Sequence, residues 1–152
     1  MFTVEDIPEF RIAYLRHVGP YGPGNAAPME RLKEWATTNG LFRADSVVLG
    51  IARDDPARTT PQNCRYDACL VLPQDAGVPH GEVEEARLAG GRHAVLVVPH
   101  TPEGLSRAWA GLFHALTGAG FSPDPGRPIV ERYRPQMLDA HLCEICVPVL
   151  PC

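Results

Sequence analysis

The sequence predicts a single α+β domain in which two helices cover one face of an antiparallel sheet. Three observations support this fold class. The chain has 152 residues, a size that favours one domain. Apolar spacing changes along the chain between the period of a strand and the period of a helix. The element order strand-helix-strand-strand occurs twice, which favours one duplicated domain with pseudo-twofold symmetry over a solenoid of repeats.

The first half contains one predicted helix and three predicted strands. The helix starts near Pro28 and stops at Asn39-Gly40, with Glu30 and Lys33 on its solvated face. Its apolar stripe consists of Met29, Leu32, Trp35 and Ala36. The strand segments are apolar runs that are bounded by proline, glycine or aspartate. These segments are residues 11–17, 46–51 and 65–72.

The second half repeats this order. A helix follows Pro102 and ends at Gly118 and Gly120, and its apolar residues recur at the helical period over more than three turns. The apolar residues are Leu105, Ala108, Trp109, Leu112, Phe113 and Leu116. The predicted strands are residues 92–98, 128–134 and 142–150.

The predicted domain spans residues 1–152, with approximate halves 8–73 and 90–150. The halves align with a shift of about 80 residues. One shared tripeptide, Val-Leu-Pro, begins at Val71 and again at Val149, 78 residues later. Residues 74–89 contain proline, glycine and four carboxylates, and we interpret them as a linker.

The charge balance and the chain's start argue against several classes of protein. Lysine and arginine total 14 against 18 aspartates and glutamates, and the single lysine is Lys33. Because nucleic-acid binding needs clustered basic residues, direct nucleic-acid binding is not expected. The chain has no apolar run of the ~20 residues that a membrane span requires, and its start does not look like a signal peptide. Its five cysteines are expected to be reduced thiols, so we expect a soluble, cytoplasmic protein.

Glu131 and Glu144 are carboxylates in predicted strands with apolar neighbours. Alternation places Glu131 between Ile129 and Tyr133 on one face, and Glu144 follows the same pattern in the last strand. A buried carboxylate is costly unless it is paired, and a cationic ligand would pair with it. A salt bridge to an arginine, or a position on an exposed edge, is the alternative explanation.

Aromatic residues and a glycine-rich turn are further candidates. Trp109 and Phe113 share one face of the second helix, which is typical of core residues, although Trp109 could offer its ring to a cation. The segment Gly19-Pro-Tyr-Gly-Pro-Gly24 lies where a phosphate loop would lie, but its prolines lack the N–H donors that a phosphate needs. We interpret it as a rigid turn that presents Tyr21.

Cys143-Glu-Ile-Cys146 has the spacing of half a zinc site. Further groups that could complete such a site are Cys64, Cys69, Cys152 and His141. Residues i and i+3 of a strand point to opposite faces, however, and the second Cys-x-x-Cys pair is missing. We therefore predict buried, inert thiols, no metal and no cofactor. The three serines form no G-x-S-x-G motif, so a hydrolytic triad has no local support.

Five short stretches together resemble the GyrI-like small-molecule-binding domain, which also forms the effector-binding half of AraC- and MerR-type multidrug regulators. The stretches are Tyr14-Leu-Arg-His-Val-Gly-Pro-Tyr21, Cys64-Arg-Tyr-Asp-Ala-Cys-Leu-Val-Leu-Pro73, Gly90-Gly-Arg-His-Ala-Val95, Ile129-Val-Glu-Arg-Tyr133 and Glu144-Ile-Cys-Val-Pro-Val149. They follow the family's order and extend from about Arg11 to Val149.

The resemblance implies a duplicated strand-helix-strand-strand fold with a groove between its halves that holds flat, aromatic, often cationic molecules. The family's ligand-pairing glutamate falls on Glu131, and a second acidic position falls on Glu144. The family's aromatic positions fall on Tyr21 and Trp109. Two further candidate ligand contacts from the matching stretches are Tyr66 and Tyr133.

Together with this resemblance, the sequence favours a stand-alone binding module for an aromatic and cationic small molecule, with a role in sequestration or effector sensing, and leaves an enzymatic role open. The first predicted strand begins by residue 11, so the chain itself is not expected to be a DNA-binding regulator. The resemblance implies one alternative, hydrolysis of strained electrophilic compounds, in which Glu131 would be the general base that activates water. The resemblance also implies the other alternative, a protein partner: DNA gyrase, which the protein would inhibit, or a regulator.

Overall fold

The computed structural model describes residues 2–79 and 81–150, which form an α+β domain. Its strands are β1 Phe2–Ile7, β2 Phe10–Val18, β3 Val48–Ala52, β4 Arg65–Val71, β5 Glu84–Leu88, β6 Gly91–Pro99, β7 Ser122–Pro123, β8 Val130–Tyr133 and β9 Leu142–Leu150. Its α-helices are α1 Ala26–Thr38, α2 Pro102–Gly118 and α3 Pro135–Asp139. Both predicted helices and all six predicted strands are present.

The two longer helices begin in different ways. Thr101 caps α2, because its Oγ1 accepts a hydrogen bond from the backbone N–H of Gly104 at 2.9 Å, and Pro102 follows in the first turn. Asn25 occupies the cap position of α1, but its side chain makes no capping hydrogen bond. The first amides of α1 are therefore not satisfied by the cap side chain. In the described part of the chain, no helix has the length and apolar character needed to cross a membrane.

The sheet is antiparallel, with the strand order β1-β6-β9-β8-β3-β4-β2-β5 and β7 beside β9. Its two halves have the same pattern: β5-β2-β4-β3 corresponds to β1-β6-β9-β8. The halves meet at the pair β3–β8, where Gly50 pairs with Glu131. The predicted α+β class and the duplicated, pseudo-twofold order are confirmed.

The first strand of each repeat lies on the other half. β1 precedes β2 in the sequence but pairs with β6, whereas β5 precedes β6 but pairs with β2. The two connections cross at Gly90, where a Cβ would lie 2.5 Å from the carbonyl oxygen of Ile7 and 2.6 Å from the amide nitrogen of Glu9. The segment 74–89 is therefore not only a linker, since it contains β5. The repeat is strand-strand-helix-strand-strand.

Apolar clusters lie on both faces of the curled sheet. The cluster under α1 includes Ala13, Leu15, Leu32, Ala36 and Leu70. The cluster under α2 includes Ala94, Val98, Leu112, Leu116 and Ile145. The opposite face is closed by a cluster from both halves, which contains Ile12, Leu49, Ile51, Cys69, Val95, Val130 and Cys146. The helices lie over different halves of one face and leave a groove above the central strands β3 and β8.

Candidate functional site

The pairing register identifies which residues of the two halves are equivalent. Equivalent pairs are Leu49–Cys69 and Ile51–Asp67 in the first half, and Val130–Cys146 and Arg132–Glu144 in the second. By the same register Gly50 is equivalent to Glu131, and these two residues also pair with each other. The pseudo-twofold axis therefore passes between them, and only one of the two carries a side chain.

Glu131 is partly buried at the floor of the groove, and each of its carboxylate oxygens accepts a hydrogen bond from a neutral donor. The hydroxyl of Tyr133 donates to Oε1 at 3.0 Å, and the indole Nε1–H of Trp109 donates to Oε2 at 3.3 Å. Within residues 2–79 and 81–150, no arginine, lysine or histidine nitrogen lies within 4.0 Å of this carboxylate. Glu131 is thus held in position without a counter-charge.

Tyr66 fills the space across from Glu131. Its side chain lies over Gly50, where a Cβ would collide with the tyrosine hydroxyl and lie 3.1 Å from Cζ. Burial and the nearby charge of Glu131 raise the pKa of Tyr66, and the same two causes are the largest that raise the pKa of Tyr133. Both phenols are therefore neutral at physiological pH and present aromatic surface to the groove.

Two cavities open on the groove and share Asn25 and Tyr66. The larger has a volume of about 740 Å³, and its lining includes Glu131 and Trp109. The smaller has a volume of about 450 Å³, and its lining includes Tyr133 and residues of α1 and α3. Ligand pockets typically measure about 300–1,000 Å³, so each cavity can hold part or all of a small molecule.

Tyr21 lines the larger cavity, but its hydroxyl is already engaged by the backbone. It donates to the carbonyl oxygen of Arg65 at 2.8 Å and accepts from the amide of Asp54 at 3.0 Å. Its ring is therefore the part that is available to a ligand. Phe113 of α2 lines the same cavity and is 43% exposed, so this face of α2 extends beyond the core.

Of the six predicted ligand contacts, five border these cavities. They are Glu131, Trp109, Tyr21, Tyr66 and Tyr133. Their role in binding stays a prediction, since proximity to a cavity is all that the geometry establishes.

Glu144, the sixth, is not in the groove, and this expectation was wrong. Arg132 donates to its carboxylate at 2.9 and 3.0 Å, and Arg134 donates to both of its oxygens at 2.8 Å. The two arginines alternate with Glu131 and Tyr133 along and after β8, so the cluster lies on the opposite face of the sheet. Burial raises the pKa of Glu144, but the two guanidinium groups lower it by more, so the carboxylate is ionised and neutralised.

Asp67 is the equivalent carboxylate of the first half, and it has the same arrangement. Its side chain is fully buried and accepts from Arg16 at 2.7 and 2.9 Å and from Arg53 at 2.8 Å. Burial raises the pKa of Asp67, and the hydrogen bonds from both arginines lower it by more. Both halves therefore contain a carboxylate with two arginine partners, whereas Glu131 has no arginine partner among the residues that the structure describes.

The described cysteines are free, buried thiols. Cys143 packs in the cluster under α2 and Cys146 in the cluster on the opposite face, in agreement with strand alternation. Burial raises the pKa of Cys143 to about 11 and that of Cys146 to about 12. Among residues 2–79 and 81–150, no three histidine, cysteine, aspartate or glutamate side chains are grouped to hold a metal ion. Cys152 lies outside the described residues.

Three residues of the groove were not identified as site residues from the sequence: Gly50, Asn25 and Lys33. Gly50 stands inside an otherwise apolar strand, a signal that often marks close approach of another group. Lys33 was expected on the solvated face of its helix, but it is partly buried and lines the smaller cavity. The α1 periodicity did not reveal this, because the cavity depends on elements that are distant in sequence.

The fold and the site together define a class of protein: an α+β domain of two pseudo-symmetric halves with a groove for a small molecule between its helices. The GyrI-like small molecule binding domain matches residues 1–150. The chain belongs to this family, and the resemblance described above is confirmed.

Relatives of this chain are named as regulators and inhibitors. YosT of Bacillus subtilis (strain 168), named as a candidate transcriptional regulator derived from prophage SPbeta, is 44% identical over 148 residues, which cover 97% of each chain. DNA gyrase inhibitor 2 of Dickeya dadantii (strain 3937) is 27% identical over 121 residues, which cover 78% of this chain and 76% of the relative.

Solved structures share the fold at low sequence identity. The crystal structure of the EcmrR C-terminal domain has a TM-score of 0.81 at 15% identity, covering 100% of this chain and 98% of that chain. In a cryo-EM structure of an EcmrR–DNA complex, this chain spans 58% of the EcmrR chain with a TM-score of 0.80. The structure of SAV2435 bound to tetraphenylphosphonium has a TM-score of 0.60 at 11% identity, covering 99% and 94%. The chain thus has the fold of the EcmrR C-terminal domain.

Proposed function

We propose that this protein binds a flat aromatic cation in the groove, either to sequester it or to sense it for a partner regulator. Glu131 supplies the counter-charge, and Trp109, Tyr66 and Tyr133 supply the aromatic walls. The proposal rests on one observation: Glu131 is a partly buried carboxylate with no cationic partner among the described residues.

The contrast with the other two carboxylates supports this assignment. Asp67 and Glu144 each bind two arginines, which offset the cost of burial. Glu131 receives hydrogen bonds from two neutral groups, which orient the carboxylate but leave its charge uncompensated. Because a partly desolvated charge interacts strongly with an opposite charge, a cation in the groove would gain more from Glu131 than from an exposed carboxylate.

The walls of the groove suit an aromatic cation. A cation over the face of a tryptophan or tyrosine ring gains roughly 0.5–2 kcal/mol, and Trp109 and Tyr66 line the same cavity as Glu131. The hydrogen bond from Trp109 fixes the indole beside the carboxylate, so charge and ring contacts are available to one ligand. The tetraphenylphosphonium bound by SAV2435 is also an aromatic cation.

Isothermal titration with N-methylacridinium and with its neutral isostere acridine tests the proposal, in a buffer where acridine is uncharged. Wild-type protein should bind the cation more tightly. Glu131→Gln should weaken cation binding about 10- to 100-fold, because a hydrogen bond or contact to a charged group contributes roughly 1.5–3 kcal/mol, and it should leave acridine binding unchanged.

Glu34→Gln is the matched control, since Glu34 is an exposed glutamate of α1 that lines neither cavity. It should bind both compounds like the wild type. Unchanged cation affinity in Glu131→Gln, with a preserved melting temperature, would refute the assignment of Glu131.

A second candidate function is inhibition of DNA gyrase, which the relative named DNA gyrase inhibitor 2 supports. A supercoiling assay with purified gyrase tests it: inhibition by the wild type and by Glu131→Gln alike would assign this activity to a surface outside the groove. The hydrolase alternative stays a prediction, and disappearance of a strained electrophile in molar excess over the protein would support it.

We further propose that the protein acts in the cytoplasm. The four described cysteines are unpaired thiols, which is the usual state of cysteine in a reducing compartment.

A further inference from the structure

The smaller cavity has a charge opposite to that of Glu131. Its lining includes Lys33 and Arg43, and Asp139 is the one acidic residue among the described residues of this lining. It meets the larger cavity at Tyr66 and Asn25. A ligand that extends past Tyr66 would therefore leave the neighbourhood of a carboxylate and enter that of two cations.

Lys33 is the single lysine of the chain, and it is partly buried in the cavity wall. In the described part of the protein, no carboxylate oxygen, including those of Asp139, lies within 4.0 Å of its ammonium group. Arg31, two residues earlier on α1, is exposed and forms an ion pair with Glu82. The side chain that faces the cavity is thus unpaired, whereas the one that faces solvent is paired.

The N-terminus of α1 adds to the positive potential. Asn25, Ala26 and Met29 line the smaller cavity, so the positive end of the helix dipole lies there. The first turn of α1 contains no acidic residue, and the Asn25 side chain makes no capping hydrogen bond. The dipole is therefore not offset by the groups that usually neutralise it.

We propose that the groove selects a zwitterionic ligand, in which an aromatic cation binds next to Glu131 and carries an anionic group that binds Lys33. This inference rests on the proposed function and adds the chemistry of the ligand's other end. The larger cavity, of about 740 Å³, receives the ring system, and the smaller, of about 450 Å³, receives the anionic substituent. Glu131 and Lys33, which have no ion-pair partner among the described residues, supply the opposite charges that this division requires.

Rhodamine B and its ethyl ester test the proposal by fluorescence anisotropy. Both have the same cationic ring system, but only rhodamine B carries a free carboxylate at neutral pH. Wild-type protein should prefer rhodamine B by about fivefold, the effect of a charge pair worth about 1 kcal/mol. The ester is more apolar, so burial alone would give the opposite preference.

Substitutions in α1 test which residue causes the preference for rhodamine B. Lys33→Met should reduce the preference, because Arg43 still lines the cavity, while retaining affinity for the ester, because methionine preserves the apolar stem of lysine. Lys33→Arg should retain the preference, and Lys33→Glu should reverse it. Arg31→Met, on the same helix and outside the cavity, should bind both dyes like the wild type. Melting temperatures of all four variants report on folding.

Equal affinity for the two dyes, or an undiminished preference in Lys33→Met, would overturn the inference about Lys33. The proposed function would survive either result provided that Glu131→Gln still weakened binding of both dyes. Failure of both dyes to bind, or full binding by Glu131→Gln, would contradict the proposed function and, with it, this inference.

Discussion

The two halves of the sheet differ at their shared centre. Asp67 and Glu144 occupy equivalent positions, and each is buried and paired with two arginines. Gly50 and Glu131 are also equivalent, but one has no side chain and the other has a carboxylate without a cationic partner among the described residues. The features that the halves share are those that stabilise the sheet, and the feature that they do not share lies in the groove.

This comparison teaches how a duplicated fold can acquire an asymmetric site. A carboxylate at both Gly50 and Glu131 would place two like charges on paired residues, which is unfavourable. The glycine instead leaves space for the ring of Tyr66. The second half thus contributes the charge of Glu131 together with the rings of Trp109 and Tyr133, and the first half contributes the ring of Tyr66.

The largest effect is expected from removing either of the two equivalent buried carboxylates, Asp67 in the first half or Glu144 in the second. Asp67→Ala and Glu144→Ala should each lower the free energy of unfolding by about 3–5 kcal/mol, because charged groups lose a buried partner. Arg16 and Arg53 lose the carboxylate of Asp67 in the first variant. In the second, Arg134 loses that of Glu144 and Arg132 keeps only Glu5. Glu131→Gln should change it by less than about 1.5 kcal/mol, since no ion pair is lost and the amide oxygen can still accept a hydrogen bond. Urea unfolding followed by circular dichroism measures all three. A loss at Glu131 as large as that at Asp67 would break the distinction between stabilising and binding carboxylates.

An intermediate effect is expected at Gly50. Gly50→Ala should destabilise the protein by about 1–3 kcal/mol, because the added methyl group collides with the hydroxyl of Tyr66. Tyr66→Phe removes that hydroxyl, so the double variant should be more stable than the sum of the single effects predicts. A double-mutant cycle by thermal or urea unfolding gives the coupling energy. If the effects of the two substitutions on the free energy of unfolding are strictly additive, then a collision with the hydroxyl of Tyr66 is not what makes an added methyl group at position 50 unfavourable.

The smallest effect is expected from acid. The folded protein has lowered pKa values at Asp67 and Glu144, relative to unfolded values of about 3.9 and 4.3. Their contribution to stability is therefore fully present above those unfolded values and is lost as the pH falls through the folded ones. Each group contributes a slope of up to about 1.4 kcal/mol per pH unit. The free energy of unfolding, measured from neutral pH downward, should fall less steeply with decreasing pH in Asp67→Asn and Glu144→Gln than in the wild type. Identical pH dependence would contradict the conclusion that these two carboxylates are stabilised in the ionised form.

Most of the fold could be predicted from local patterns, and the exceptions have a common cause. β1 and β5 are short strands with acidic residues, and each lies at an edge of the sheet. An edge strand is paired on one side only, so its sequence need not be apolar. Their partners are far away in the sequence, and no local pattern could show that β5 was a strand within residues 74–89.

The repeat itself was aligned one residue out of register at its end. The shared tripeptide matches Val71 with Val149. In the sheet, Ile12 of β2 and His93 of β6 are equivalent. Because Ile12 pairs with Val71 and His93 pairs with Pro148, the equivalent of Val71 is Pro148. A shift of one residue moves a side chain to the other face, and Val149 indeed packs under α2 whereas Val71 packs on the opposite face. The identical tripeptides therefore do not occupy equivalent positions in the two halves.

The site could be predicted where it depended on alternation along one strand. Glu131 and Tyr133 face the same side, and this follows directly from their spacing. That Glu144 pairs with arginines instead of lining the groove depends on the register between β8 and β9, which places Arg132 opposite Glu144. Two arginines at alternate positions, on the strand that precedes a glutamate-bearing strand, were the available signal for an internal ion-pair cluster.

The exchange of first strands between the two halves has a consequence for how the chain folds. Phe2 pairs with Leu96, so the N-terminal strand finds its place only after more than half of the polypeptide has been synthesised. Such distant pairing slows folding and prevents either repeat from completing its sheet alone. A chain cut between the halves would leave two fragments that each hold a strand of the other. We therefore expect the two repeats to fold as one unit, so that a ligand bound between them would stabilise both repeats together.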